Sequence, residues 1–216
     1  MLHGSFAYHI MILILHKLIN RMYSNADTNT DRHHALSTRE PASKRYPSGF
    51  EIKCYGKSSA LNFCPDKTEQ GFITVRIEGA DLKDANSKKF DWENKLILQV
   101  TKAEILDLAA VMLGYKGKCT YSNHGQNSMV AGQAKQSKGF EAEIQGLNVF
   151  FKVFGGGKRT KAVPIPLIDA MQVGHMIINL YADNHRGLGC EVVLETLKQY
   201  VAIVRHNNKT KAAQTV

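Results

Sequence analysis

At 216 residues, with 44% hydrophobic and 22% charged residues, the chain has the composition of an ordinary globular protein of one or two domains. A net charge of +9 and a pI near 9.4 favour a phosphate polyanion as partner, because each Lys or Arg that meets a phosphate releases a counterion; an acidic membrane surface is the competing partner. The four cysteines (Cys54, Cys64, Cys119, Cys190) make no CxxC and no Cys/His set with metal-ligand spacing, so no structural metal is expected, and a chain of this length needs no disulfide.

The charge is spread unevenly. Residues 1–49 carry +3 and residues 205–216 another +3, which leaves +3 for the middle. The run Phe6 to Ile19 is apolar but short for a bilayer span, and its positive residues follow it, unlike those of a secretory signal. The absence of acids before Asp27 fits a mitochondrial presequence, although Arg and Ser richness is missing; a start at Met22 is the other reading. Residues 23–49 are polar and read as a disordered linker, so residues 1–49 form a disordered or targeting extension.

From Phe50 the period becomes two. Phe50, Ile52 and Cys54 alternate with Glu51, Lys53 and Tyr55; a second strand spans residues 60–64 and ends at Pro65; a third spans 72–78. Residues 79–89 read as a polar loop and 94–100 as a fourth strand. Thr101 and Glu104 form a capping box for a helix that carries Ile105, Leu108, Ala109 and Met112 and ends at Gly114. The order then repeats: strands at 118–123, 140–145, 149–154 and 159–163, with a polar loop at 124–137. Pro164 and Pro166 are expected in the first turn of a helix reaching Ala182, and a last helix spans about 190–204. This predicts an α+β fold of two consecutive β-β-β-β-α repeats, about 50–114 and 117–182. The antiparallel sheets pack against helices, with a C-terminal helix and a basic, disordered tail at 205–216.

This order, a basic surface, and stretches such as Phe50-Glu51-Ile52, Lys138-Gly139-Phe140-Glu141 and Val149 to Phe154 resemble the Whirly single-stranded-DNA-binding proteins. They equally resemble the trypanosomal mitochondrial RNA-binding proteins of the same fold and, more distantly, the single-repeat transcriptional coactivators. Lys116-Gly117-Lys118 is a partial echo of the Whirly lysine-glycine-lysine signature, displaced to the start of the second repeat and followed by Cys119-Thr120. The resemblance implies tetramers packed through helices, single strands laid over the outer sheet faces and between adjacent sheets, and little sequence preference.

Single-strand binders combine cations for phosphates with aromatic faces for bases. Parity puts Phe150, Lys152 and Phe154 on one face of their strand and Val149, Phe151 and Val153 on the other; the first row is either a binding surface or buried by a partner. Gly155-Gly156-Gly157 leads into Lys158, Arg159 and Lys161, three cations in four residues on a flexible turn without the spacing of a nucleotide-binding loop, or else a solvated hairpin tip. Lys53, Tyr55 and Arg76 fall opposite the core positions, and Lys116, Lys118 and Lys138 flank the long loop. Trp92, between Asp91 and Glu93, is expected in the core or an interface. No Ser, Cys or carboxylate arrangement pairs with His124, His175 or His185, and Asp91 with Glu93 lacks a third metal ligand, so neither catalysis nor a cofactor is expected. The expectation is a non-enzymatic, homo-oligomeric binder of single-stranded DNA or RNA with no membrane partner; a scaffold without nucleic-acid binding is the alternative. Four unpaired cysteines favour a reducing compartment, the cytoplasm (in association with a nucleoid) or the mitochondrial matrix.

Overall fold

The computed structural model describes residues 46, 49–84, 86, 88–124, 129–130, 133–134 and 137–214. The expectations for residues 1–45 and for the last two residues lie outside them. The first alternating block forms one antiparallel sheet. β1 (Ile52–Tyr55) pairs with β2 (Ser59–Lys67), β2 with β3 (Ile73–Asp84), and β3 with β5 (Leu96–Gln99) and, further along, with the short β4 (Lys89–Phe90). Helix α1 (Ile105–Met112) follows. The second block repeats the plan with β6 (Lys118–His124), β9 (Lys138–Gln145), β10 (Asn148–Gly155) and β11 (Lys158–Pro166), in spatial order β11-β10-β9-β6. Between β6 and β9 the polar loop contains a two-stranded insert, β7 (Met129–Val130) and β8 (Gln133–Ala134). Helices α2 (Leu167–Asp183) and α3 (Cys190–Gln214) end the chain. Four main strands and a helix, twice, with a C-terminal helix, is the predicted α+β order.

The register explains which side chains face inward. Ile52, Leu61, Phe63, Ile77 and Leu98 share the inner face of the first sheet, and Phe140, Ala142, Val149, Phe151 and Val153 that of the second. The inner faces meet: Phe63 is edge-on to Phe151 at 5.3 Å, and Phe151 stacks on Phe140 at 5.9 Å. A Cβ on Gly79 would stand 2.5 Å from Val153 Cγ2, so a glycine is required where β3 crosses β10. α1 is buried along Ile105 and Leu108–Met112, as its apolar residues demand, while Leu106 and Asp107 are half-buried. α2 is tied to the first sheet at its C-terminal end. Asn184 accepts from the Ile73 N–H at 2.6 Å and donates to the Ile73 carbonyl at 2.8 Å, replacing a missing ladder partner.

Five details differ from expectation. β2 runs through Pro65 because β1 pairs only with Ala60–Phe63; beyond that point β2 is an edge and no donor is needed on that side. β3 continues to Asp84 and turns back into β4, where a polar loop was expected. Pro164 and Pro166 lie in β11, which is also an edge strand, and α2 starts only at Leu167. Only half of the capping box forms: Glu104 Oε2 accepts from the Thr101 N–H at 2.9 Å, while the Glu104 N–H goes to the Thr101 carbonyl. α3 continues past Val204 through the segment expected as a disordered tail, since Arg205 to Gln214 contains no Gly or Pro to stop it.

The four cysteines are free, and burial pushes the thiols of Cys54 and Cys119 up to about 12, which leaves them unreactive. Among the described residues no group of three His, Cys, Asp or Glu is placed to hold a metal, and no helix is long and apolar enough to cross a membrane.

Candidate nucleic-acid interface

The outer face of the second sheet is built by alternation. Phe150 and Phe154 flank Lys152 on β10, all half-buried and outside the core cluster, while the residues between them are fully buried. Register sets their neighbours: Phe150 opposes Glu143 and Pro164, Lys152 opposes Glu141 and Ala162, and Phe154 opposes Gly139. A Cβ on Gly139 would lie 2.6 Å from the Phe154 ring and 2.3 Å from the Tyr121 carbonyl oxygen. The missing side chain lets the Phe154 ring lie against the sheet. The Lys152 ammonium sits 5.3 Å over the Phe150 ring and donates to Glu141 Oε1 at 2.7 Å. Lys118, across on β6, lies 3.3 Å from Glu141 and 3.4 Å from Glu143. Lys152 and Lys118 hold the Glu141 carboxyl below its usual range, and Glu141 raises Lys118 in return. The predicted aromatic-cation-aromatic row therefore exists, but its Lys152 and the neighbouring Lys118 are matched by Glu141 and Glu143.

The first sheet shows the same balance on its outer face. Lys53 pairs with Glu51; Arg76 lies 3.0 Å from Glu78 and 3.5 Å from Asp66; Lys95 lies 2.8 Å from Glu78. Burial acts to raise the Glu78 carboxyl, but Lys95 and Arg76 more than offset it and hold it low. Tyr55 is 61% exposed at the end of β1.

The glycine-rich turn is ordered by its backbone. Gly155, Gly156 and Gly157 all take positive φ, and a Cβ on Gly155 would come within 2.1 Å of the Ser137 carbonyl oxygen. The three cations that follow it are all used within the chain. Lys158 donates to the carbonyls of Asn94 (2.6 Å) and Lys95 (2.9 Å); Arg159 donates to Asp81 (2.8 and 3.0 Å) and to the Ser58 carbonyl (3.2 Å). Lys161 is 1% exposed, with its ammonium 2.6 Å from Asp81 and 2.6 Å from the Arg159 carbonyl. Burial acts to raise Asp81, but Lys161 and Arg159 hold it low. This cluster joins β11 to the first sheet.

Two of the lysines flanking the long loop are used likewise. Lys116 donates to Asp107 of α1 at 2.6 Å, beside the Tyr121 hydroxyl, and Lys138 donates to the Ile97 carbonyl of β5 at 2.9 Å. His124, at the end of β6, lies 3.2 Å from Glu104 at the start of α1. His175 is exposed on α2, not in the core, and Asp91 is occupied by Asn94.

Phe90 was not singled out in the sequence, and Trp92, expected in the core or an interface, is half-buried. Phe90 opposes Leu82, which lies on the same side of β3 as Ala80 and Glu78, so both face outward. Phe90 and Tyr55 stand 5.7 Å apart, and the Trp92 ring lies 5.7 Å from the Lys53 ammonium. The available signal was the parity of Phe90 and Trp92, two residues apart like a strand pair.

No known family profile and no curated protein sequence matches the chain. Solved structures do. WHY3 from Arabidopsis thaliana superposes with a TM-score of 0.51 at 16% identity, over 69% of this chain and 94% of its own. WHY1 from the same plant gives 0.50 at 17%, over 64% and 96%. The fold is Whirly-like. The plant transcriptional regulator PBF-2 gives 0.48 at 15%, over 59% and 78%. At such identities the Whirly-like likeness speaks for the backbone alone, and what the chain binds has to be read from its side chains.

Proposed function

We propose that this chain binds single-stranded DNA or RNA with little sequence preference and acts without catalysis, as a homo-oligomer in a reducing compartment. The observation that carries the reading is the uncovered row Phe150–Lys152–Phe154 on a sheet whose other face is packed. Half-buried aromatic rings with one accessible face beside a cation accept any base by its π-face, which gives affinity without sequence preference. Since Lys152 and Lys118 already serve Glu141 and Glu143, the sheet's share of affinity comes from stacking more than from phosphate attraction. Of the predicted contact residues, Lys118, Phe150, Lys152, Phe154, Lys53, Tyr55 and Arg76 stand on outer faces in this reading. Lys116, Lys138, Lys158, Arg159 and Lys161 hold the fold. Assembly of copies is supported by the exposed Val192, Tyr200 and Ile203, which recur on one side of α3, and by Ile168 on α2.

The test is fluorescence anisotropy of a labelled oligonucleotide of about 30 nucleotides, as single-stranded DNA, single-stranded RNA and duplex, at two salt concentrations. Sub-micromolar binding that prefers single strands is expected. Failure to bind at low salt rejects the reading and leaves an oligomeric scaffold, which α3 alone would support; size exclusion with and without the oligonucleotide then separates the two.

A further inference from the structure

The β3–β4 hairpin does something that the repeat does not require. It carries Phe90 and Trp92 back across the outer face of the first sheet to Tyr55 and Lys53. Beneath them Ala60 opposes both Tyr55 and Ala80 in register, and both alanines are fully buried although they point to the outer face. The rings therefore lie over the strands, as a wall with small side chains for a floor. Three aromatic faces remain accessible there: Tyr55 is exposed, and Trp92 and Phe90 are half-exposed. A buried core has no use for a lysine held over an indole, whereas a base-stacking surface gains from one.

The charge beside this wall differs from the rest of the outer faces. Lys118, Lys152, Arg76 and Lys95 are all ion-paired. Lys83, Lys88 and Lys89 on the hairpin are exposed and take part in no ion pair among the described residues. Aromatic faces next to cations outside any ion pair, of which Lys83 alone acts at longer range on Asp91, match the two chemical parts of one ligand class, the bases and the phosphates of a single strand.

We infer that Tyr55, Phe90 and Trp92 form a second base-stacking site, separate from the Phe150–Phe154 row, and that Lys83, Lys88 and Lys89 bind the phosphates flanking the stacked base. The inference rests on the single-strand reading above and names a place that this reading does not need. Trp92 is the only tryptophan of the chain, so its emission reports on this site alone.

The experiment titrates the full chain with thirty-residue oligothymidylate and oligouridylate, following labelled-strand anisotropy and tryptophan emission in parallel. The expected result is quenching of the indole with the same midpoint as the anisotropy curve. Trp92→Leu should weaken binding roughly tenfold and Trp92→Phe, which keeps a ring, by much less. Lys83, Lys88 and Lys89 together changed to Ala should lower the slope of log affinity against log salt by about two. Binding with unchanged indole emission overturns the site and leaves the single-strand reading standing, whether or not Trp92→Leu folds. Emission that shifts with protein concentration alone, and no further with oligonucleotide, also overturns it, since another copy then covers the wall. Absence of any anisotropy change removes the single-strand reading, and this site with it.

Discussion

Glu141 sets the charge of the second sheet's outer face. Its carboxylate takes both Lys152, at 2.7 Å, and Lys118, at 3.3 Å, so a phosphate approaching either lysine must compete with it. Removing that competitor should help binding. Glu141→Gln is expected to tighten oligonucleotide binding up to about fivefold and to steepen its salt dependence, while Lys152→Ala weakens it by a similar factor; anisotropy at two salt concentrations checks both. An unchanged affinity in Glu141→Gln would mean that the strand does not cross this face. Strand parity alone was enough to put Phe150, Lys152 and Phe154 on one side. The glutamates opposite them were not legible, because the partner of a residue depends on register, and register follows from hairpin lengths that sequence leaves open. The surroundings of Trp92 show the same dependence on register. Its acidic neighbours in sequence, Asp91 and Glu93, argued against a binding role, but the side chain it meets in space is Lys53.

The cluster around Asp81 acts on a larger scale, as the joint between β3 and β11. Lys161 is buried, so its charge is tolerable only while Asp81 faces it. Asp81→Ala should cost about 3 kcal/mol, at the low end for a broken buried pair because Asp81 keeps some solvent contact, and chemical denaturation measures it. Lys161→Met, which removes the buried charge itself and leaves Asp81 to Arg159, should cost less than half as much. A reversed order would deny the joint. Asn184→Ala, which strips both bonds from Ile73, should cost about 2 kcal/mol in the same assay. Acid should weaken the fold as well. The carboxyls of Asp81 and Glu104 are held below their usual 3.8 and 4.5, so each stabilises the folded state near neutral pH and loses that contribution as pH falls from its usual value through the lowered one. Melting temperature should be flat from about pH 7 to 5 and drop below about pH 4.5, with Asp81→Asn flattening part of the drop. The same cluster shows where composition misleads. Three cations after three glycines looked like a phosphate grip, yet β11 lies against the first sheet, and the carbonyls and carboxylate there claim all three. Element order was legible because hydrophobic periods of two and 3.6 survive without neighbours. Strand ends were not, since Pro65 and Pro164 are tolerated only where a neighbouring strand stops or an edge begins, and pairing decides that.

Along the chain, most of the basic charge lies outside the residues that form the two sheets. Residues 1–49 and 205–216 carry +6 of the +9, and the cations on both sheets' outer faces are largely neutralised by Glu51, Asp66, Glu78, Glu141 and Glu143. A molecule built this way should divide its labour, with the faces stacking bases and the ends supplying counterion release. The C-terminal share sits on α3, whose helix carries Lys209 and Lys211 beyond the last buried residue, Val201, and beyond Arg205, which is bonded to the Tyr115 carbonyl. The variant to make changes Lys209 and Lys211 to Gln. For a single strand each neutralised phosphate contributes about 0.7 to the slope of log affinity against log salt, so the double variant should lose about 1.4 if both lysines meet phosphate. Lys152→Ala should lose much less than 0.7, because that lysine is already paired. Slopes from anisotropy at four or five salt concentrations separate the two cases. The opposite ranking, with the sheet lysine dominating the slope, would mean that Glu141 releases Lys152 on binding, and would return the electrostatic work to the sheet.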